Sequence, residues 1–201
     1  MKRICLASTS ETRKALLSQT SIPFRCVSPD VDEDMTKARL NQVGANAAEI
    51  ASALAMEKAL SVAHHTSDVV LAADQMLDFK GRVFSKTKSE RDVVSRLSIL
   101  QDQSHFLHSA FCFAKKGRIV HRGLMTVSIH IKAMTTGEIE RHLAGCTCQL
   151  PGTLGGYRVE CPCFGRIGIL RGDFNAALGL PLKSVISFLN EISLRKNPRH
   201  A

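Results

Sequence analysis

Two hydrophobic periods alternate along the chain. Short apolar runs with β-branched residues at 4–7, 22–27 and 69–73 predict strands, the last of them buried and ended by Asp74. Residues 76–84 predict a hairpin turning at Lys80-Gly81, which delivers Lys86 just beyond it. Two longer β-like runs, 106–113 and 119–131, flank Lys115-Lys116-Gly117 and predict a second antiparallel hairpin. Strands are also predicted over 157–160 and 164–170, after a loop at 151–156.

Helical spacing fills the intervals. Residues 11–17 follow a natural N-cap at Ser10, with Glu11 at the positive end of the dipole. Residues 46–64 carry Ile50, Leu54 and Ala55 on one face, and 89–100 carry Val93, Val94, Leu97 and Leu100. The capping box Thr135-x-x-Glu138 opens a short helix to Leu143, and a closing helix over 181–192 has Pro181 at its first turn. Strands and helices mix throughout with no repeat or linker between them. The pattern predicts one α/β domain over 1–196 and a basic tail over 197–201.

Four places on this frame carry candidate chemistry. Asp74, at the mouth of the predicted sheet, is costly unless a cation, proton or donors pair with it, and a plain salt bridge is the bland reading. The strand, the Ser8-Thr9-Ser10 turn and the helix start form a generic anion site, to which Arg13 and Lys14 add charge. An ordinary capped helix explains the same residues. The acidic run Asp30-Val31-Asp32-Glu33-Asp34 suits a hard cation such as Mg²⁺, or a solvated loop. Lys58 on the 46–64 helix either points into a site or is an exposed helical lysine.

Composition narrows the choice. The 201 residues carry a net charge of +9, which suits an anionic partner: nucleic acid, a membrane surface or a phosphorylated small molecule. With no Trp and only Tyr157, a single-strand binder built on stacking platforms is disfavoured. No stretch reaches the roughly 18 consecutive apolar residues of a membrane span. The apolar run after Met1-Lys2-Arg3 is too short for a signal peptide, so the expected location is cytoplasmic. Seven cysteines in such a chain are expected to be reduced thiols. Cys146-x-Cys148 and Cys161-x-Cys163 could together hold Zn²⁺, although structural sites usually place two to four residues within a pair. Reactive or incidental thiols are the commoner reading.

Taken together, the motifs resemble the Maf family of nucleoside triphosphate pyrophosphatases. Residues 4–10 with Arg13 and Leu16-Leu17 are similar to the family's opening motif, and Asp30-Val31-Asp32-Glu33 to its acidic motif. Glu57-Lys58-Ala59, Ala73-Asp74-Gln75, Lys86, and Gly172-Asp173 through Gly179-Leu180-Pro181-Leu182 complete the series in order, over nearly the full length. The resemblance implies an elongated mixed sheet flanked by helices, with two lobes and a central cleft, a Maf/inosine triphosphatase-like fold. It implies that Asp74 activates water at the α-phosphorus and that Glu33, with Asp74, binds a divalent metal, Mg²⁺ or Mn²⁺. Ser8, Ser10, Arg13, Lys58 and Lys86 would hold the triphosphate substrate. It also implies a homodimer. No membrane or nucleic-acid partner is expected.

The departures bear on specificity. Glu11 and Thr12 stand where the family has Pro and then Arg or Trp, and Ser85-Lys86-Thr87 replaces Gly-Lys-Pro. Gln75 and Glu160 resemble the branch acting on 7-methyl-GTP, while Thr12 does not. A buried carboxylate at Glu160 would accept from guanine N1–H and N2–H₂ and suit a positively charged ring. A basic nucleic-acid-binding protein and a degenerate nucleotide binder are the competing readings.

Overall fold

The computed structural model describes residues 4–194, so the predicted basic tail at 197–201 lies outside the described residues. The chain runs β1 (Ile4–Ala7), α1 (Glu11–Ser18), β2 (Phe24–Val27), α2 (Glu33–Gln42), α3 (Ala47–Ala63), β3 (Val69–Phe79) and β4 (Arg82–Phe84). It continues with α4 (Glu90–Leu100), β5 (Gln103–Lys115), β6 (Arg118–Ile131), α5 (Thr136–Gly145), α6 (Phe164–Ile167), β7 (Gly168–Arg171), α7 (Phe174–Ala177) and α8 (Leu182–Leu194). The seven strands form one mixed sheet in the order β2-β1-β3-β5-β6-β7, with β4 paired to β3. β1 lies parallel to both β2 and β3, whereas the β3-β5-β6-β7 pairings are antiparallel.

Strand periodicity explains the layers. On β1 and β3, Cys5, Ala7, Val70, Ala72 and Met76 face α3 and pack with Ala51, Leu54, Ala55 and Val62. The alternate residues Ile4, Leu6, Val69, Leu71 and Ala73 pack with Leu16 and Leu17 of α1 and Val185 and Leu189 of α8. Further along the sheet, Leu77, Phe79, Leu107, Val127, Ile129 and Ile131 meet Val93 and Leu97 of α4 and Ile139 of α5. Two packed lobes thus share the long strands, with Asp74 and Gln75 between them. Among the described residues no helix is long and apolar enough to cross a membrane.

Several expectations change. Asp74 does not end its strand: β3 continues to Phe79, because β5 pairs with it as far as Asp78. Residues 157–160 form no strand, since Tyr157 turns its ring into the core and Arg158 Nε donates to the Gln149 carbonyl at 2.6 Å. The 164–170 run divides into the helical turn α6 and strand β7, which begins at Gly168 where β6 offers a free edge. The acidic run opens a helix, α2, with Asp32 as its N-cap. The Lys80-Gly81 and Lys116-Gly117 turns form as predicted, all four residues having positive φ as two-residue hairpins require. The predicted capping box at Thr135 also forms, and Asn46 with Glu49 makes another at the start of α3.

Candidate active site

Ten residues singled out by the sequence line one cleft of about 690 Å³ between the lobes: Ser8, Ser10, Thr12, Arg13, Glu33, Lys58, Asp74, Gln75, Lys86 and Glu160. Lys14, Asp30 and Asp32 lie outside it. Its floor is β3. Asp74 shares the parity of Val70, Ala72 and Met76, so it points toward α3. Lys58 lies four residues after Leu54 and four before Val62, on the buried stripe of α3. The two side chains therefore meet, and each residue is only 6% exposed. Lys58 Nζ lies 2.5 Å from Asp74 Oδ1 and 2.6 Å from Glu33 Oε1, so one ammonium bridges two carboxylates. No other hydrogen bond or ion pair engages the Asp74 side chain among the described residues, and its Oδ2 stays unengaged.

Glu33 reaches this point because α2 is anchored to α3. Thr36 Oγ1 donates to Glu57 Oε2 at 2.6 Å, and Arg39 Nη2 lies 2.9 Å from Glu57 Oε1. Partial burial alone would raise the Glu33 pKa, but the hydrogen bond and charge of Lys58, aided by Lys37 at 3.3 Å, hold it at about 2. Glu33 is therefore ionised at any physiological pH.

Gln75 has the opposite parity and turns toward α7. Its Nε2 donates to Ser109 Oγ at 2.8 Å and to the Ala176 and Ala177 carbonyls, both at 3.0 Å. Ser109 in turn donates to the Ala176 carbonyl at 2.6 Å. The segment after α7 seats Arg13, whose Nε donates to the Gly179 carbonyl at 2.9 Å. Gly179 has φ +92°, a conformation that favours glycine, and an added Cβ would lie 3.4 Å from the guanidinium. Burial lowers the Arg13 pKa, while Asp74 and Glu33 pull it back up.

The α1 end is built as the sequence suggests. Ser10 caps the helix by accepting from the Arg13 N–H, and Ser8 Oγ accepts from the Ser10 N–H at 3.1 Å. Lys86 faces it from the opposite lobe. Packing around its amine lowers its pKa, as does the Arg13 charge, while Glu33 and Asp74 oppose the shift. Thr87 explains why the altered loop spares this amine. Its buried side chain and backbone N–H both donate to the Thr153 carbonyl, and its own carbonyl accepts from Gly152 N–H at 2.8 Å.

Glu160 departs from expectation. It is not buried: its side chain is 37% exposed and pairs with Arg158 at 3.4 Å. The irregular 157–160 backbone leaves it on the cleft rim, beside a cation of its own chain. The cleft is also less basic than the whole chain, with Arg13, Lys37, Lys58, Lys86, Lys88 and Arg158 set against Glu11, Glu33, Asp34, Asp74 and Glu160.

Sequence reasoning missed two supporting residues. Arg96 stacks on Phe84, 4.2 Å from the ring centroid, and donates to the carbonyls of Ser85 and Leu154. Ser109 is a buried hydroxyl in an apolar strand, a signal that could have marked it.

The chain is similar to known proteins over most of its length. A nucleoside triphosphate pyrophosphatase of Caulobacter vibrioides is 33% identical over 92% of this chain and 94% of its own. A 7-methyl-GTP pyrophosphatase of Rhizobium meliloti is 31% identical over 94% of this chain and 96% of its own. A solved nucleoside-triphosphatase from Mycobacterium abscessus is 16% identical over 98% of this chain and 99% of its own, with a TM-score of 0.42, too loose a likeness to build on. The family described as Maf-like protein matches residues 3–192, and the chain belongs to that family.

Proposed function

We propose that this chain hydrolyses the α–β phosphoanhydride of a nucleoside triphosphate, releasing the monophosphate and pyrophosphate. The observation that carries this reading is the single ammonium of Lys58 shared by Glu33 and Asp74, in a cleft that also presents Arg13, Lys86 and the start of α1. Such a reaction needs charge neutralisation and positioning more than covalent participation. Asp74 Oδ2 takes a proton from water as the new bond to the α-phosphorus forms and the bond to the bridging oxygen breaks. Lys58, bonded to Asp74 Oδ1, orients the carboxylate for that transfer. Arg13, Lys86, Ser8 and Ser10 hold the phosphate chain.

The carboxylates also fit a divalent cation, Mg²⁺ or Mn²⁺, because Glu33 and Asp74 already converge on one positive charge. Bound there, the ion would neutralise phosphate charge in the transition state. Its holders would be Glu33 and Asp74.

For the base, Gln75 and Glu160 favour a guanine-like substrate, 7-methyl-GTP or GTP, over dTTP and UTP. Relatives of near-equal identity are named for each activity, so the preference rests on those two side chains. The enzyme is further proposed to be cytoplasmic and to act as a homodimer, the dimer resting on the family resemblance alone. Pyrophosphate release from a nucleotide panel, with and without Mg²⁺, tests the reading. No release from any nucleotide would overturn it.

A further inference from the structure

The four cysteines of the two Cys-x-Cys pairs converge below the cleft rim. In this structure Cys148 and Cys161 are joined as a disulfide, and Cys146 Sγ lies 3.4 Å from Cys161 Sγ. The sulfurs of Cys146, Cys161 and Cys163 all lie within 4.8 Å of one another. A structural disulfide uses two sulfurs, so two further thiols beside it are left without a purpose. Four sulfurs suit one tetrahedral soft cation: a Zn–S bond of about 2.3 Å places neighbouring sulfurs roughly 3.8 Å apart.

The one-residue spacing, unusual for zinc, is reconciled by the backbone. Cys146 ends α5 in extended conformation, φ −85° and ψ 120°. Cys146 and Cys148 present their sulfurs together, since both reach Cys161. Cys161 and Cys163 come from the turn that opens α6, where the Cys161 carbonyl accepts from Phe164 N–H at 2.8 Å. Each pair supplies two ligands from one short arc.

We propose that the reduced chain holds one Zn²⁺ on the thiolates of Cys146, Cys148, Cys161 and Cys163. From the disulfide form, a dithiol reductant first gives two electrons and two protons to Cys148 and Cys161 and itself becomes a disulfide. Zinc then displaces four thiol protons, leaving a site of net charge −2. The ion ties the end of α5 to the start of α6 and closes the loop that carries Arg158 and Glu160 into the cleft. Its role is to position that wall, and the inference does not depend on the reaction proposed above.

The test uses the full, untagged chain, reduced with a dithiol, loaded anaerobically with Zn²⁺ and freed of excess metal. Elemental analysis should find about one zinc per chain, as four thiolate ligands require. Loading with Co²⁺ instead should give the strong visible bands and thiolate charge-transfer absorption of tetrahedral sulfur ligation. Cys146→Ser and Cys163→Ser, made singly and checked for native circular dichroism, should each weaken or remove the cobalt spectrum. Should the reduced, unsubstituted chain retain no zinc and give no such spectrum, the site does not exist, whatever the variants do. Undiminished metal binding in both folded variants would place the metal elsewhere and equally overturn the proposal.

Discussion

The Lys58 ammonium lies 2.5 Å from Asp74 Oδ1, and both residues are almost wholly enclosed by the sheet and α3. Removing one partner of a buried pair leaves an uncompensated charge, which costs about 3–5 kcal/mol. Lys58→Met should therefore lower unfolding free energy by about that much, read from urea denaturation. Lys58→Met with Asp74→Asn should cost much less than the sum of the single changes, because the stranded charge is gone. Additive costs would mean that the pair is solvated rather than buried.

The fold was legible wherever local pattern and tertiary packing agree, as in α3, α4 and the two hairpins. For Lys58 the sequence left two readings, and its burial between Leu54 and Val62 on one stripe of α3 decides for the inward one. Helix α2 was not, since its Met35 stays 66% exposed and Thr36 is its sole buried residue, which leaves no amphipathic stripe to detect. The error at 157–160 has the opposite cause: Tyr157 and Val159 have the alternation of a strand, but Tyr157 packs its ring into the core and Arg158 is tied to the Gln149 carbonyl, so the segment does not join the sheet. The direction of Gln75 and the meeting of Cys146 with Cys161 depend on contacts across long stretches of chain, which no window of sequence contains.

His105 is fully buried, with Nε2 2.6 Å from Tyr157 Oη and Nδ1 unpartnered. Burial lowers its pKa to about 4, with the Arg96 charge adding to the effect. The unfolded chain therefore binds more protons than the folded one between pH 6.5 and about 4. Its stabilising effect is full above that window and is lost as pH falls through it. The melting temperature should drop between pH 7 and pH 5 and flatten over that range in His105→Gln.

Glu33 acts in a lower window. Its pKa is depressed to about 2, so the stability from its pairing is present above the ordinary carboxylate value and lost as pH falls toward 2. Glu33→Gln should remove that acid-side loss while raising the Mg²⁺ concentration needed for half-maximal pyrophosphate release. Unchanged metal dependence would remove Glu33 from the metal site.

Ser109 links Gln75 to the Ala176 carbonyl. Ser109→Ala leaves buried polar groups short of a partner, a loss of about 1–3 kcal/mol. Because Gln75 would keep only the Ala176 and Ala177 carbonyls to orient it, KM should rise more than kcat falls. A proportionate fall in kcat at constant KM would contradict a positioning role.

On the rim, Glu160→Gln removes the carboxylate that favours a base with two donors and positive charge. The ratio of kcat/KM for 7-methyl-GTP over UTP should shrink. Exposure of Glu160 keeps the expected change to about tenfold, below the discrimination that a fully buried group can supply.

The central claim is that Asp74 accepts the proton from the attacking water, and Asp74→Asn tests it most directly. The substitution keeps the shape and one acceptor oxygen for Lys58, but puts an amide NH₂ where the proton-accepting oxygen stood and cannot act as a base. Pyrophosphate release at saturating nucleotide and Mg²⁺ should fall about 10²-fold or more, the usual scale for a lost general base, with nucleotide affinity retained. Turnover at the parent rate by the folded variant would contradict the account.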